Sequence, residues 1–208
     1  MQRKGSLFIF SAPSGAGKDT VLKEVLKKDK SIKLSISTVT RGMREGEVEG
    51  EKYNFISVAE FEKMLSEKAF LEYNEYCGNY YGTPKAPVEK WLDEGKNVIL
   101  EIDVNGAFKV KKKMPEAIMI FMMPKTFDTL RQRLENRGTE SEEVVEKRLK
   151  QAAKEIYFAK EYDYIFFNDK LEDAVNDFMS IIRANALLNK NMKLELRKVI
   201  DDAESIDW

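Results

Sequence analysis

The chain has 208 residues, of which 43% are hydrophobic and 34% charged, and its formal net charge is −1. This length fits one large domain, and the composition excludes a disordered or fibrous protein. Because the net charge is close to zero, we expect no general attraction to nucleic acid. Any bound anion must therefore meet a local cluster of Lys and Arg.

Histidine is absent, and Cys77 is the only cysteine. The chain thus lacks the commonest general base, any Ser-His-Asp triad, an intrachain disulfide and a cysteine-based zinc site. We expect a reducing, cytoplasmic setting. The N-terminal residues lack the apolar stretch of a signal peptide, and the apolar run Ala117–Met123 is too short to span a bilayer. We therefore predict no targeting segment and no membrane partner.

Short apolar runs alternate with amphipathic stretches along the chain. The strand-sized runs are Leu7–Phe10, Ile32–Ser37, Val98–Ile102, Ala117–Met123 and Tyr164–Phe167. Helical spacing of apolar residues occurs at Phe61/Met64/Leu65, Val88/Trp91/Leu92, Phe127/Leu130/Leu134 and Val145/Leu149/Ala152. This alternation indicates a parallel sheet covered by helices on both faces, which is a three-layer α/β sandwich. Ligands are expected at the carboxyl ends of its strands, and the charged tail from residue 189 predicts a surface helix.

The first candidate site is Ser11–Thr20, SAPSGAGKDT, which joins a predicted strand to a predicted helix. Glycines let backbone N–H groups converge on phosphate oxygens, and the helix N-terminus and Lys18 add positive charge. Against the pattern G-x-x-x-x-G-K-[ST], Ala12 replaces the first glycine and Asp19 replaces the hydroxyl residue. A glycine turn without a ligand is the alternative interpretation.

Asp19 suits the first turn of a helix but removes the usual magnesium ligand of such a loop. Two replacements remain open: Thr20, or waters held by Glu101 and Asp103 at the end of the run Val98–Ile102.

Two further polar clusters follow. In Ser35–Phe55, Arg41 and Arg44 are spaced so that their guanidinium groups can fork around one phosphate dianion. An ordinary solvated loop is the alternative there. The neighbouring donors are Ser37, Thr38, Thr40 and Tyr53, and an aromatic-rich stretch at 70–84 adds Glu72, Tyr81 and Thr83.

These segments resemble the guanylate kinases, which convert ATP and GMP to ADP and GDP. The resemblance spans nearly the whole chain and is carried, in the family's order and spacing, by SAPSGAGK, STVTRGMREGEVEGEKYNF, GNYYGTP, LEIDVNGA, RLENRGTESEEVVEKRL and FND. It implies one domain with a core of P-loop NTPase type and a five-stranded parallel sheet (1–36, 85–125 and 155–208). It also implies a GMP-binding insert at 37–84, a helical lid at 126–154, and Mg²⁺ bound together with ATP.

The resemblance also implies roles for individual residues. The implied catalytic residues are Lys18, Arg41, Arg137 and Arg148. The implied ATP-binding residues are Ala12, Pro13, Ser14, Gly15, Ala16, Gly17, Lys18, Asp19, Thr20, Arg133, Arg137 and Asn168. The implied GMP-binding residues are Ser37, Arg41, Arg44, Glu47, Tyr53, Glu72, Tyr81, Thr83, Glu101 and Asp103. Thr20 is the candidate protein ligand of Mg²⁺, whose other ligands would be water and nucleotide phosphates.

The chemistry of guanine agrees with these roles. The N1–H and the N2 amino group of guanine are two donors that the carboxylate of Glu72 can accept together, and adenine reverses that edge. A phosphate monoester is already anionic at neutral pH, so no general base is needed. Two alternatives stay open at this point: a catalytically inactive guanylate kinase-like module that binds proteins, and a kinase for another nucleoside monophosphate. A homodimer is one candidate assembly.

Overall fold

The computed structural model describes residues 4–76, 78–136 and 141–204. The strands are β1 Leu7–Ser11, β2 Lys33–Leu34, β3 Ser37–Val39, β4 Tyr53–Phe55, β5 Phe70–Tyr76, β6 Asn79–Pro84, β7 Val98–Glu101, β8 Ile118–Met123 and β9 Tyr164–Phe167. The α-helices are α1 Lys18–Lys28, α2 Val58–Ser66, α3 Lys85–Asp93, α4 Val104–Lys113, α5 Phe127–Glu135, α6 Glu142–Tyr157, α7 Leu171–Ala186 and α8 Lys193–Glu204.

The predicted parallel sheet has five strands in the order β2-β7-β1-β8-β9, and every neighbouring pair is parallel. Its central strand β1 is buried along its whole length. Phe8 and Phe10 face one apolar core, which includes residues of α1 and α7, while Leu7 and Ile9 face a second core with α3 and α4. This period of two along a strand buried on both sides confirms the predicted three-layer sandwich.

The run Ile32–Ser37, predicted as one strand, instead contributes to two sheets. Lys33–Leu34 pairs with β7, whereas Ser37–Val39 belongs to a second sheet. Between them, Ser35 N donates to Ile99 O at 2.9 Å, after which the chain leaves the first sheet. The prediction of one strand was wrong because a short alternating run records which face is buried but not which strand lies beside it.

The second sheet has the order β4-β3-β6-β5 and lies wholly within residues 37–84, which we call the second-sheet segment. β3 pairs in parallel with β4 and antiparallel with β6. Helix α2 covers this sheet through Phe61, whose ring centroid lies 4.5 Å from that of Phe70 and 5.3 Å from that of Tyr80. The segment therefore has a small aromatic core of its own.

The four stretches with helical spacing lie on α2, α3, α5 and α6, as predicted. Leu134 of α5 packs with Val145 and Leu149 of α6 in a separate apolar cluster. The tail forms α8, a helix without buried residues, which agrees with the predicted surface helix. In the ranges described above, every helix is too short or too polar to cross a bilayer.

Candidate active site

The glycine loop, which we define as Ala12–Lys18, follows the carboxyl end of β1 and leads into α1. Gly15 and Gly17 both have φ of 87°, in the left-handed region that favours glycine. Ala16 N donates to Pro13 O at 3.0 Å, which closes a turn. Gly17 is the N-cap of α1 and has no side chain with which to cap it, so the first N–H groups of the helix stay available to an anion.

Helix α5 and the end of β9 brace this loop from one side. A Cβ atom on Gly15 would lie 2.6 Å from Leu134 Cδ2, so α5 packs directly against the loop. Arg133 Nη1 donates to Ala16 O at 3.1 Å and to Asn168 Oδ1 at 3.1 Å, and its Nη2 donates to Asn168 O at 3.0 Å. Asn168 Nδ2 also donates to Ala16 O. The loop conformation is thus fixed by side chains distant in sequence.

Helix α6 braces the loop at a second point. Arg148 donates to Ser14 Oγ through Nε at 3.0 Å and Nη2 at 2.9 Å. About two turns further along the helix, Glu155 Oε2 accepts from Ser14 N at 3.3 Å, and Glu155 Oε1 accepts from Gln151. Burial raises the pKa of Glu155, although these hydrogen bonds oppose the rise. Ser14 is therefore held by its side chain and its backbone at once.

Four charged groups meet where the glycine loop enters α1. Lys18 Nζ lies 3.5 Å from Glu101 Oε1 at the end of β7. Lys52 Nζ lies 3.9 Å from the same oxygen and 2.8 Å from Asp19 Oδ2. Burial raises the pKa of Glu101, and the charges of Lys18 and Lys52 oppose that rise. Lys18, Lys52, Asp19 and Glu101 thus form a charge cluster where the glycine loop enters α1, which we call the mouth of the loop.

The second-sheet segment holds an arginine cluster, which we define as Arg41, Arg44 and Glu47. Arg41 and Glu47 form a two-pronged pair, with Nη1 to Oε2 at 2.7 Å and Nη2 to Oε1 at 2.6 Å, and Arg44 N donates to Glu47 Oε2 at 2.8 Å. The Arg41 Cζ atom lies 5.1 Å from the ring centroid of Tyr53, which is 6.3 Å from that of Tyr81. Hydrogen bonds from Arg41 and Arg44 lower the pKa of Glu47 to about 2, so this pair is fully ionised at neutral pH.

A cavity of about 210 Å³ lies between the two sheets. Six residues of the predicted GMP set line it: Ser37, Tyr53, Glu72, Tyr81, Glu101 and Asp103. Glu72 is only 6% exposed, and its Oε1 accepts from Thr83 Oγ1 at 2.6 Å. Burial raises the pKa of Glu72, and the bond from Thr83 opposes that rise. Its second oxygen, Oε2, takes no part in that bond.

Asn74 and Gly106 contact the two acidic residues of the cavity wall, Asp103 and Glu72. Asp103 Oδ1 accepts from Gly106 N at 2.7 Å and so caps α4, while Asp103 Oδ2 accepts from Asn74 Nδ2 at 3.1 Å. A Cβ atom on Gly106 would lie 2.9 Å from Glu72 Oε2. The helix can therefore approach the carboxylate this closely only because residue 106 is glycine.

The structure brings the predicted residues together in two groups. The glycine loop, Arg133, Arg148 and Asn168 form one group, and the arginine cluster with the cavity forms the other. Glu101, paired with Lys18 and lining the cavity, joins them. Thr20 is exposed in the first turn of α1. Arg137, predicted for both catalysis and ATP binding, lies outside the described residues.

Sequence reasoning missed four residues of this site. Asn74 lies two residues after Glu72 on the same strand, and Glu155 lies seven residues after Arg148 on the same helix, so their periodicity was a usable signal. Gly106 and Lys52 gave no comparable signal, because their partners Glu72 and Asp19 are more than 30 residues away. Contacts of that kind follow only from the fold.

No cluster of three or more acidic or cysteine side chains is arranged to hold a metal ion in the part of the chain that the structure describes. Asp19 and Glu101 place carboxylates beside Lys18, at the end of the glycine loop, and oxygen donors of this kind suit Mg²⁺. Together with phosphate oxygens they form a donor set that fits this ion.

Comparison with known proteins gives one consistent result. The sequence model of a family described as guanylate kinase matches residues 4–185. A guanylate kinase from Caldanaerobacter subterraneus subsp. tengcongensis is 45% identical over 95% of this chain and 98% of its own length. A guanylate kinase from Oceanobacillus iheyensis is 42% identical over 99% of this chain and 100% of its own. The crystal structure of guanylate kinase from Anaplasma phagocytophilum superimposes with a TM-score of 0.80 at 31% identity, covering 100% of this chain and 99% of that one.

Proposed function

This chain belongs to the guanylate kinase family, and from that premise we propose that it transfers the γ-phosphoryl group of ATP to GMP, giving ADP and GDP. The observation that carries this function is the meeting of the two residue groups at Glu101. A loop built for phosphates opens beside a cavity whose buried carboxylate is suited to guanine. Donor and acceptor are thereby brought to adjacent places.

On the donor side, we assign the ATP phosphates to the N–H groups of the glycine loop and to Lys18. Backbone N–H groups at a helix N-terminus bind anions without reorganisation, because the fold has already oriented them. Arg133 and Asn168 fix the loop through Ala16 O, and Arg148 reaches the loop at Ser14. These arginines bring positive charge to the side of the loop where the outer phosphates would lie.

On the acceptor side, we assign the GMP phosphate to Arg41, Arg44, Tyr53 and Tyr81. Glu47 acts through Arg41 rather than on the phosphate, because a carboxylate repels a phosphate and both its oxygens already accept from Arg41. The two hydrogen bonds between Glu47 and Arg41 fix the plane of the Arg41 guanidinium group. The ligand therefore finds Arg41 already oriented.

We assign the guanine base to the cavity, with the two carboxylate oxygens of Glu72 as acceptors for its N1–H and N2 donors. Thr83 donates to Oε1 as well, because each carboxylate oxygen can accept two hydrogen bonds, and Ser37 offers a hydroxyl to the acceptor O6. Asp103 acts indirectly by holding Asn74 at the cavity wall. Adenine would leave the buried carboxylate facing an acceptor nitrogen, and an unpaired buried charge is costly.

Mg²⁺ would be held by the ATP phosphates, with Asp19, Thr20 and Glu101 as the nearby oxygen donors, directly or through water. When bound, the ion supplies positive charge that offsets the charge of the phosphates. Lys18 and the arginines reduce the repulsion between ATP and the GMP dianion, which is the main obstacle to their approach. The GMP phosphate is already an anionic nucleophile near pH 7, so no side chain has to remove a proton.

Three parts of the chain would divide this work. Residues 37–84 form the GMP-binding insert, residues 126–154 form a helical lid that carries Arg133 and Arg148, and the remainder forms the core. The second-sheet segment has its own sheet and aromatic core, which supports its treatment as a unit. Closure of the lid would keep water away from the transferred group.

The test is an assay of ADP formation from ATP and Mg²⁺ with GMP, AMP, CMP or no acceptor. We expect rapid turnover with GMP, slow ATP hydrolysis without an acceptor, and loss of turnover when EDTA removes Mg²⁺. Faster turnover of AMP than of GMP would contradict the assignment of the cavity. Binding of both nucleotides without turnover would identify a non-catalytic module instead.

A further inference from the structure

The charge cluster at the mouth of the glycine loop joins parts of the chain that are distant in sequence. Lys18 and Asp19 begin α1, Glu101 ends β7, and Lys52 immediately precedes β4 in the second-sheet segment. Lys52 Nζ reaches both carboxylates, at 2.8 Å from Asp19 Oδ2 and 3.9 Å from Glu101 Oε1. Lys52 thus links the second-sheet segment to Asp19 and Glu101, the two carboxylates beside Lys18 of the glycine loop.

The turn before β4 places Lys52 in this position. Glu51 N donates to Val48 O at 3.2 Å, and Gly50 N donates to Tyr53 O at 3.0 Å. Lys52 is the last residue of this turn, and Tyr53 is the first residue of β4. Tyr53 lines the cavity, whereas Lys52 extends to the glycine loop. Tyr53 thus contributes to the cavity, and Lys52 contributes to the charge cluster beside the glycine loop.

The pairing explains the acidic residue at position 19. That residue replaces the hydroxyl of the usual loop pattern, and a carboxylate beside the phosphates would by itself repel them. In this chain its charge is matched by Lys52, while Lys18 and Lys52 share Glu101. An isolated exposed ion pair contributes little. This one belongs to a network of four charges, and the side chain of Glu101 is only 14% exposed.

We propose that Lys52 is a positioning residue for phosphoryl transfer, which holds the second-sheet segment against the glycine loop by bridging Asp19 and Glu101. The bridge thereby holds the proposed GMP cavity in the position in which GMP binds, next to the ATP phosphates. This inference rests on the proposed function, because that function makes one side the donor and the other the acceptor. Lys52 itself need not touch either nucleotide.

Steady-state kinetics of Lys52→Met test the proposal, with GMP and ATP varied in turn. We expect the KM for GMP to rise about five-fold, the factor that corresponds to a networked surface ion pair. The kcat and the KM for ATP should change less than about two-fold, because the substrate contacts remain. Lys52→Arg keeps the cation and should restore the KM for GMP. Lys63→Met, at an exposed position of α2 in the same segment, is the matched control.

A double-mutant cycle identifies the partner. In an Asp19→Asn background, Lys52→Met should raise the KM for GMP by less than about two-fold, because the main bridge is already broken. Independent, multiplicative effects would overturn the proposal, as would a fall in kcat at unchanged KM, which indicates contact with the transferred group. Wild-type kinetics in Lys52→Met would overturn it too. Failure of the proposed function is distinguishable, since the unmodified chain would then not phosphorylate GMP.

Discussion

The glycine loop and the base cavity are held in place by different means. The loop is fixed by side chains that bind its backbone: Arg133 and Asn168 donate to Ala16 O, and Glu155 accepts from Ser14 N. The cavity is fixed by hydrogen bonds between side chains, such as the one that Thr83 Oγ1 donates to Glu72 Oε1. Under the proposed function, the loop would offer oriented N–H groups that suit any phosphate, whereas the cavity would offer a buried carboxylate that suits one base. Affinity for phosphate and choice of base would then be physically separate.

The largest expected effect comes from removing the charge of the loop. Lys18→Ala should lower kcat by about 10³-fold or more, because one cation on the transferred phosphoryl group is worth that much in phosphoryl transfer. Lys23→Ala, on the exposed side of the same helix, is the control. Circular dichroism should show the fold unchanged in both. Near-normal turnover in the first variant would contradict the role of the loop.

The second prediction addresses the cavity. Glu72→Gln should lower kcat/KM for GMP by about 10²-fold, because the amide can accept only one of the two guanine donors and its NH₂ opposes the other. The KM for ATP should stay within about two-fold of the original value if the two regions are separate. Glu75→Gln, at an exposed position of the same strand, should have no effect. A joint loss of ATP affinity would break the comparison.

A smaller change sharpens the same point. Gly106→Ala places a methyl group 2.9 Å from Glu72 Oε2, at the mobile end of a side chain. We expect the carboxylate to shift and the KM for GMP to rise about ten-fold. Thermal stability should fall slightly, because displacing the buried Glu72 carboxylate from Thr83 costs more than alanine gains over glycine in the first turn of α4. Gly42→Ala has no heavy atom within 4 Å of the added Cβ and is the control.

The smallest expected effect is a dependence on pH. Burial raises the pKa of Glu72, whereas Arg41 holds the pKa of Glu47 at about 2. As the pH falls from neutrality, Glu72 takes up a proton first, so the KM for GMP should rise by about two- to three-fold before the Arg41 pair is affected.

The effect on stability has the opposite sign. The folded-state pKa of Glu72 exceeds its unfolded value, so the folded chain binds more protons in this range, and protonation relieves the cost of burying the charge. Acidification therefore weakens GMP binding without destabilising the fold through this group. Glu72→Gln should lack this part of the profile, which separates it from the titration of the GMP phosphate itself. An identical profile in the variant would contradict the assignment.

Patterns local in sequence allowed much of this molecule to be predicted. The alternation of Leu7, Phe8, Ile9 and Phe10 indicated a strand buried on both faces, and the glycine loop followed from its residues and its flanking elements. Features that depend on distant pairing were not predictable in this way. The strand run beginning at Ile32 divides between two sheets because its neighbouring strands are distant in sequence: Lys33 pairs with Val98, 65 residues away, and Thr38 pairs with Gly82, 44 residues away.

The candidate site shows the same limit. The family resemblance implied a shared role for Glu72 and Thr83 in binding GMP. It implied none for Lys52, although Lys52 lies within one of the motifs, and Asp19 was expected to suit a helix start within the ATP-binding loop. The structure pairs them at 2.8 Å. Pairs of charges across elements depend on the final packing, and single positions in sequence do not record them.

Gly15 is confined to glycine for two unrelated reasons. Its φ of 87° disfavours any side chain, and the methyl group of Leu134 occupies the space where a Cβ would stand. In a genetic screen, a residue constrained only by crowding is rescued when its neighbour is shortened. Shortening Leu134 would remove the steric clash of a side chain at position 15 but would leave the backbone strain. We therefore expect that substitutions of Gly15 are not rescued by a second mutation at Leu134.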